Sequence, residues 1–93
     1  MLLQGGVATA HANYVKSNPA SDARLAKSPS EIRVTFSETP DAAGSDLAVL
    51  DSAGKRLSTG AITSVSDEAN TLRVGVPVLP EGGYLVSWTA RSA

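Results

Sequence analysis

The only histidine in the chain, His11, directly follows Ala8-Thr9-Ala10, which has the A-x-A form of a signal-peptide cleavage site. A chain cut after Ala10 would begin with histidine, whose free α-amine and imidazole nitrogen can close a chelate ring on one metal ion. Two nitrogens at adjacent corners suit the square-planar preference of Cu(II), which also heads the divalent affinity series. His11 is therefore a candidate copper ligand, and the alternative is a surface histidine near a chain terminus.

A second candidate metal ligand is Glu38, which comes just after the stretch that ends in Phe36-Ser37. A carboxylate at the end of a strand, near the rim of a β-sandwich, could complete a metal site or hydrogen-bond to its ligands. The alternative is a charged edge residue that discourages pairing with other strands, and the pattern by itself favours this alternative.

Composition argues against several classes of function. Eight Lys plus Arg against nine Asp plus Glu leave a net charge of -1, so electrostatics offers no case for nucleic acid or an anionic membrane as partner. The absence of cysteine excludes disulfides, thiolate metal sites and cysteine nucleophiles. The carboxylates are scattered over predicted turns and strand exteriors, with no spacing that marks a general acid/base pair. We therefore expect a protein that is not an enzyme.

The first ten residues differ in character from the rest of the chain. Residues 1–10 are apolar and small, and the sequence turns polar at His11, as at the end of a secretory signal peptide. This stretch is far shorter than the ~20 apolar residues of a transmembrane helix. We expect residues 1–10 to be a signal-peptide remnant, residues 11–93 to be the domain, and the protein to be exported to the periplasm or cell envelope. The alternative is an ordinary disordered N-terminus.

Three stretches alternate apolar and polar residues with the period of a half-buried strand: residues 31–37, 71–76 and 84–91. Placing their apolar residues on inner faces predicts one core. That predicted core includes Ile32, Val34, Phe36, Leu72, Val74, Val86 and Trp88.

Shorter strand candidates are residues 14–17, 46–50 and 57–65, with turn-forming clusters between the candidates. Residues 20–27 could form one helical turn. Six or seven short strands at this spacing predict an all-β fold, a Greek-key immunoglobulin-like β-sandwich.

Several motifs together resemble one protein family, the CopC-like copper-binding and copper-resistance domains of the bacterial periplasm and cell envelope. The resemblance covers residues 11–93. It is carried, in order, by His11-Ala12 after the A-x-A site, Ser17-Asn18-Pro19-Ala20, Ser28-Pro29, Ile32-Arg33-Val34-Thr35-Phe36-Ser37-Glu38, Leu79-Pro80-Glu81-Gly82-Gly83-Tyr84 and Val86-Ser87-Trp88.

The resemblance implies a Greek-key β-sandwich with a Cu(II) site. In the family, the ligands are the amine and imidazole of the first mature residue and an Asp and a His from a later Asp-x-His stretch, with the Glu of Phe-Ser-Glu at or near the site. The matching positions here are His11 and Glu38. The sequence ends at Arg91-Ser92-Ala93, before a position for Asp-x-His, so we expect the final strand to be missing and the domain to be incomplete at its C-terminus. The methionine-rich Cu(I) site of some relatives has no counterpart, because Met1 is the only methionine.

These features predict an envelope copper-binding protein that holds or delivers Cu(II) in copper homeostasis and resistance. The expected partners are the copper ion and a membrane copper permease, fused or separate. The alternative function is a structural or adhesive immunoglobulin-like module of a larger surface protein. An oxidative copper enzyme using the same N-terminal chelate is disfavoured, since the chain is small and poor in aromatic residues.

Overall fold

The structure is a computed structural model that describes the strand at residues 2–4 and the continuous stretch from residue 12 to residue 93. The described chain is all-β and contains no helix. The strands, in chain order, are β1 Leu2–Gln4, β2 Tyr14–Asn18, β3 Glu31–Phe36, β4 Asp46–Leu50, β5 Thr63–Val65, β6 Glu68–Gly75 and β7 Leu85–Thr89.

The strands form two sheets that share one core. One sheet has the order β1-β7-β4 and the other the order β2-β3-β6-β5. Within the second sheet, Ile32 pairs with Val74 across an antiparallel ladder. Within the first, Leu47 pairs with Trp88. Because side chains alternate along a strand, each ladder turns a row of apolar residues towards the opposite sheet, which gives a β-sandwich.

All seven residues of the predicted core are buried, at most 5% exposed, so the predicted inner faces are confirmed. The alternation along β3 is complete, with every second residue buried. The hydrophobic cluster draws on both sheets and also takes in Ala12 and Ala90, which lie near the two ends of the described chain. Among the residues whose burial the structure describes, the core cluster lies between residues 12 and 90.

Two local predictions from the sequence differ from the structure. Residues 57–65 do not form one strand, because Leu57 donates its N–H to the carbonyl of Val49 on β4, whereas Thr63–Val65 pairs with β6 in the other sheet. A single straight strand cannot pair with both sheets. Residues 20–27 do not form a helical turn. Residues 20–23 form a single turn in which the Ala23 N–H donates to the Ala20 carbonyl and Asp22 has a φ of 62°, in the left-handed region.

Strand β1 falls within the segment expected to be a signal-peptide remnant. It runs parallel to β7, with Leu2 opposite Leu85 and Gln4 opposite Ser87. The assignment of residues 1–10 to a signal remnant stays a prediction, and the A-x-A sequence at residues 8–10 lies outside the described residues. No helix in the described part of the chain is long and apolar enough to cross a membrane.

Candidate metal site

Glu38 lies two residues beyond Phe36, the last residue of β3, and its side chain is exposed at one end of the sandwich. The other predicted ligand, His11, lies outside the described residues. The structure therefore positions one of the two predicted ligands. The geometry around Glu38 depends on which other segments reach this end.

The first segment at this end is the start of the continuous described chain. Asn13 and Ser37 are tied together twice: the Asn13 N–H donates to Ser37 Oγ at 3.0 Å, and the Ser37 N–H donates to the Asn13 carbonyl at 2.8 Å. Ala12, just before Asn13, is fully buried in the core cluster. The chain immediately after His11 is thus fixed beside the residue that precedes Glu38.

The second segment at this end is the stretch Arg91-Ser92-Ala93. Ala93 N–H donates to the carbonyl of Thr39 at 2.9 Å, and the Asp41 N–H donates to the carbonyl of Arg91 at 2.7 Å. An isolated antiparallel bridge between Pro40 and Ser92 lies between these bonds. The last described residues therefore run alongside the segment that follows Glu38. This pairing could not be predicted from the sequence, because no alternation of apolar residues marks such a short contact.

An aromatic cluster forms the core beneath these segments. Tyr14 and Trp88 stack with ring centroids 6.3 Å apart, and Phe36 meets Trp88 edge to face at 5.3 Å. Tyr14 follows Asn13 and Phe36 precedes Ser37, so the Asn13–Ser37 pair rests directly on this cluster. Large, rigid rings hold the backbone of this end in place through burial and pairwise contact.

The described residues by themselves do not make a complete metal site. Between residues 12 and 93, no three His, Cys, Asp or Glu side chains gather closely enough to hold a metal ion. Asp41, three residues after Glu38, uses its Oδ1 to accept the Ala43 N–H at 3.1 Å and shapes a turn. Glu38 is a suitable oxygen donor on the surface, and an imidazole donor would have to come from outside the described residues, where the only histidine, His11, lies.

The paired carboxylates of the protein lie on the strands themselves. On the outer face of the four-stranded sheet, Arg33 hydrogen-bonds to Glu31 and reaches Glu68 at 2.7 Å. The hydrogen bond from Arg33 lowers the pKa of Glu31. Asp46, the first residue of β4, accepts bidentate hydrogen bonds from Arg56 at 2.8 and 3.0 Å, which lower the pKa of that carboxyl. These three carboxylates are paired with arginine and are therefore poor candidates for metal ligands.

Comparison with known proteins agrees with this architecture. The sequence model of the CopC domain matches residues 14–93. The crystal structure of CopC from Methylosinus trichosporium is similar, with a TM-score of 0.82 and 26% sequence identity over 89% of this chain and 80% of that chain. No curated protein matches the chain. The domain match spans most of the sequence, and the chain belongs to the CopC family of copper-binding, copper-resistance proteins.

Proposed function

We propose that this protein holds or delivers Cu(II) in the periplasm or cell envelope, in copper homeostasis and resistance, without catalysing a reaction. In this proposal the chain is cut after Ala10, and the α-amine and imidazole of His11 bind the ion. The Glu38 carboxylate supplies an oxygen donor at or beside the ion.

The observation that carries the proposal is the double hydrogen bond between Asn13 and Ser37. Strands β2 and β3 are antiparallel, with Tyr14 opposite Phe36, and the Asn13–Ser37 pair extends that register by one residue. Continued by one more residue, the same register would place Ala12 opposite Glu38. Since consecutive Cα atoms are only ~3.8 Å apart, we propose that His11 binds the ion within reach of Glu38.

Cu(II) affinity should depend on pH through the two nitrogen donors. A terminal amine and an imidazole must both lose protons before they bind, and their ordinary pKa values are about 7.7–8.0 and 6.5. Binding should therefore strengthen as the pH rises through this range. If residues 1–10 remain attached, the nitrogen of His11 is a peptide amide, so the chelate loses one of its donors.

Further donors are expected from the family's Asp-x-His stretch, which stays a prediction for a chain that extends beyond Ala93. The contact of Ala93 with Thr39 supports it, because residues following Ala93 would start next to Glu38. A fused or separate membrane copper permease also stays a prediction.

The test is a calorimetric titration with Cu(II) of two proteins, the full 93-residue chain and the form that begins at His11. We expect the form beginning at His11 to bind more tightly. Two changes should abolish this gain without altering chain length: His11→Ala, and acetylation of the terminal amine. Glu38→Gln should weaken binding, whereas Glu81→Gln, a matched control in the turn before β7 at the far end of the sandwich, should not.

Equal affinity of the two forms, or a His11→Ala variant that binds as well as its parent, would contradict the proposed ligand. If His11→Ala weakens binding and Glu38→Gln does not, the proposed role of Glu38 is wrong and the N-terminal chelate stands. Mass spectrometry of the exported protein should find His11 as the first residue, and a different mature N-terminus would contradict the proposed cleavage.

A further inference from the structure

Glu38 lies in a short segment whose neighbouring residues are hydrogen-bonded to other parts of the fold. Before it, Ser37 is tied to Asn13 by two hydrogen bonds. After it, Thr39 makes two further hydrogen bonds, one with its side chain and one with its backbone. The backbone is therefore held in place on both sides of the candidate copper ligand.

The two hydrogen bonds of Thr39 lead to different sheets. Its hydroxyl donates to Oδ1 of Asn70 at 3.0 Å, and Asn70 belongs to β6 of the four-stranded sheet. Its carbonyl accepts the N–H of Ala93 at 2.9 Å, in the segment that follows β7 of the three-stranded sheet. Thr39 thus joins both sheets at the end of the sandwich where Glu38 lies.

The side-chain hydrogen bond between Thr39 and Asn70 is not needed to pair the strands. The ladder between β3 and β6 already runs from Glu31 opposite Gly75 to Thr35 opposite Thr71. Thr39 lies beyond this ladder and is exposed to solvent. What its bond to Asn70 adds is a fixed position for the backbone next to Glu38.

We propose that Thr39 and Asn70 are positioning residues of the copper site, which hold the Glu38 carboxylate ready for the ion. This inference rests on the proposed function, in which Glu38 is an oxygen donor at or beside the ion. A ligand on a loosely held segment loses conformational entropy when the ion binds, whereas a segment fixed by hydrogen bonds has lost that entropy during folding. Breaking the bond between Thr39 and Asn70 returns the entropy loss to the binding step, so the affinity falls.

The first test is a calorimetric Cu(II) titration of the protein recovered from the cell envelope after export. Thr39→Val keeps the branched shape but removes the hydroxyl, and it should weaken binding about two- to tenfold, the equivalent of one hydrogen bond. Asn70→Ala should weaken binding by a similar factor, and the double variant by no more than either change alone, because both break the same bond. Thr39→Ser, which keeps the hydroxyl, should bind copper like the parent.

Thr63→Val is the matched control for Thr39→Val. Thr63 is also an exposed threonine with a side-chain hydrogen bond to β6, because its hydroxyl accepts from Arg73 at 3.2 Å. Arg73 lies three residues beyond Asn70 along β6, and Thr63 lies on β5. We therefore expect Thr63→Val to leave the copper affinity unchanged.

Dependence on Glu38 separates a positioning role from a general contribution to the fold. In a chain that carries Glu38→Gln, the further change Thr39→Val should not alter the affinity, because the carboxylate that Thr39 positions is gone. Electron paramagnetic resonance of bound Cu(II) is a second readout, since the spectrum reports the donor atoms and not the stability of the fold. Thr39→Val should show a mixture of the parent spectrum and the spectrum of Glu38→Gln.

The outcomes distinguish this inference from the proposed function. If Glu38→Gln weakens binding and Thr39→Val does not, the positioning role is wrong and the proposed function stands. Equal weakening by Thr39→Val with and without Glu38, or an equal loss in Thr63→Val, would also overturn the positioning role. If Glu38→Gln has no effect, both the proposed role of Glu38 and the positioning role of Thr39 are wrong.

Discussion

Trp88 is the residue whose replacement tests the packing of the fold most directly. Its side chain is 5% exposed, stacks on Tyr14 and meets Phe36 edge to face. Truncating a buried tryptophan to alanine costs about 3–5 kcal/mol, which includes the lost transfer energy and the cavity. A domain of this size is stable by only about 5–15 kcal/mol, so Trp88→Ala should remove a large part of the free energy of unfolding.

The indole N–H of Trp88 makes Trp88→Phe the informative comparison. Among the residues that the structure describes, this buried group has no hydrogen-bond partner. Leaving a buried donor unpaired costs about 1–3 kcal/mol, so replacing it with an apolar ring recovers this cost while leaving a smaller cavity than alanine does. We expect Trp88→Phe to lower the free energy of unfolding by less than about 1.5 kcal/mol, well below the loss for Trp88→Ala.

The assay is equilibrium unfolding in urea followed by far-ultraviolet circular dichroism, because Trp88 is the only tryptophan and its variants lose the fluorescence signal. Val78→Ala is the control, since Val78 is 88% exposed and should change stability by no more than about 0.5 kcal/mol. If Trp88→Phe is as damaging as Trp88→Ala, the unpaired N–H is not a cost to the folded state. If Trp88→Ala costs about as little as Val78→Ala, the aromatic cluster does not hold the sandwich together.

Three further predictions concern an ion pair, a hydroxyl pair and a turn. The hydrogen bond from Arg56 lowers the pKa of Asp46 in the folded chain from its ordinary value of 3.8. The stabilisation by this carboxylate is therefore present above that pH and is lost as the pH falls below it, so Arg56→Gln should flatten the fall in melting temperature below about pH 4. The hydroxyls of Thr35 and Thr71 lie 2.8 Å apart, and Thr71 is buried. Thr71→Val alone should lower the free energy of unfolding by about 1 kcal/mol because it leaves the Thr35 hydroxyl unpaired. In a double-mutant cycle, the variant with valine at both positions should recover part of that loss. Gly54 has a φ of 81° and open space around it, so Gly54→Ala should lower stability by about 1 kcal/mol through backbone conformation alone, and thermal unfolding should show a smaller loss for Gly54→Asn.

The core could be predicted from the sequence because strand side chains alternate with a period of two. That rule depends only on neighbours in the chain, so it predicts the inner faces of β3, β6 and β7 without any knowledge of which strands pair with each other. The stretch 57–65 shows the limit of the rule. Its residues change from one sheet to the other, and no local pattern reveals which sheet a short segment joins.

The candidate site could be predicted as residue types but not as an arrangement. The position of His11 after an A-x-A sequence and the position of Glu38 at a strand end mark both residues as candidate ligands. The contacts that organise this end join residues far apart in the chain: Asn13 with Ser37, and Thr39 with Ala93. Such contacts result from how the two sheets close on each other, so their positions follow from the assembled fold and not from any short motif.

By itself, the sequence determined the all-β class, the inner faces of the main strands, the family resemblance and the two residues proposed to bind copper. Each of these depends on local spacing or on residue chemistry. The tertiary structure alone decided that the start of the continuous chain and its last residues meet beside Glu38, and that β1 covers the uncharged edge of β7. Edge pairing is made by backbone groups that every residue carries, so side-chain identity does not specify which strand will occupy an edge.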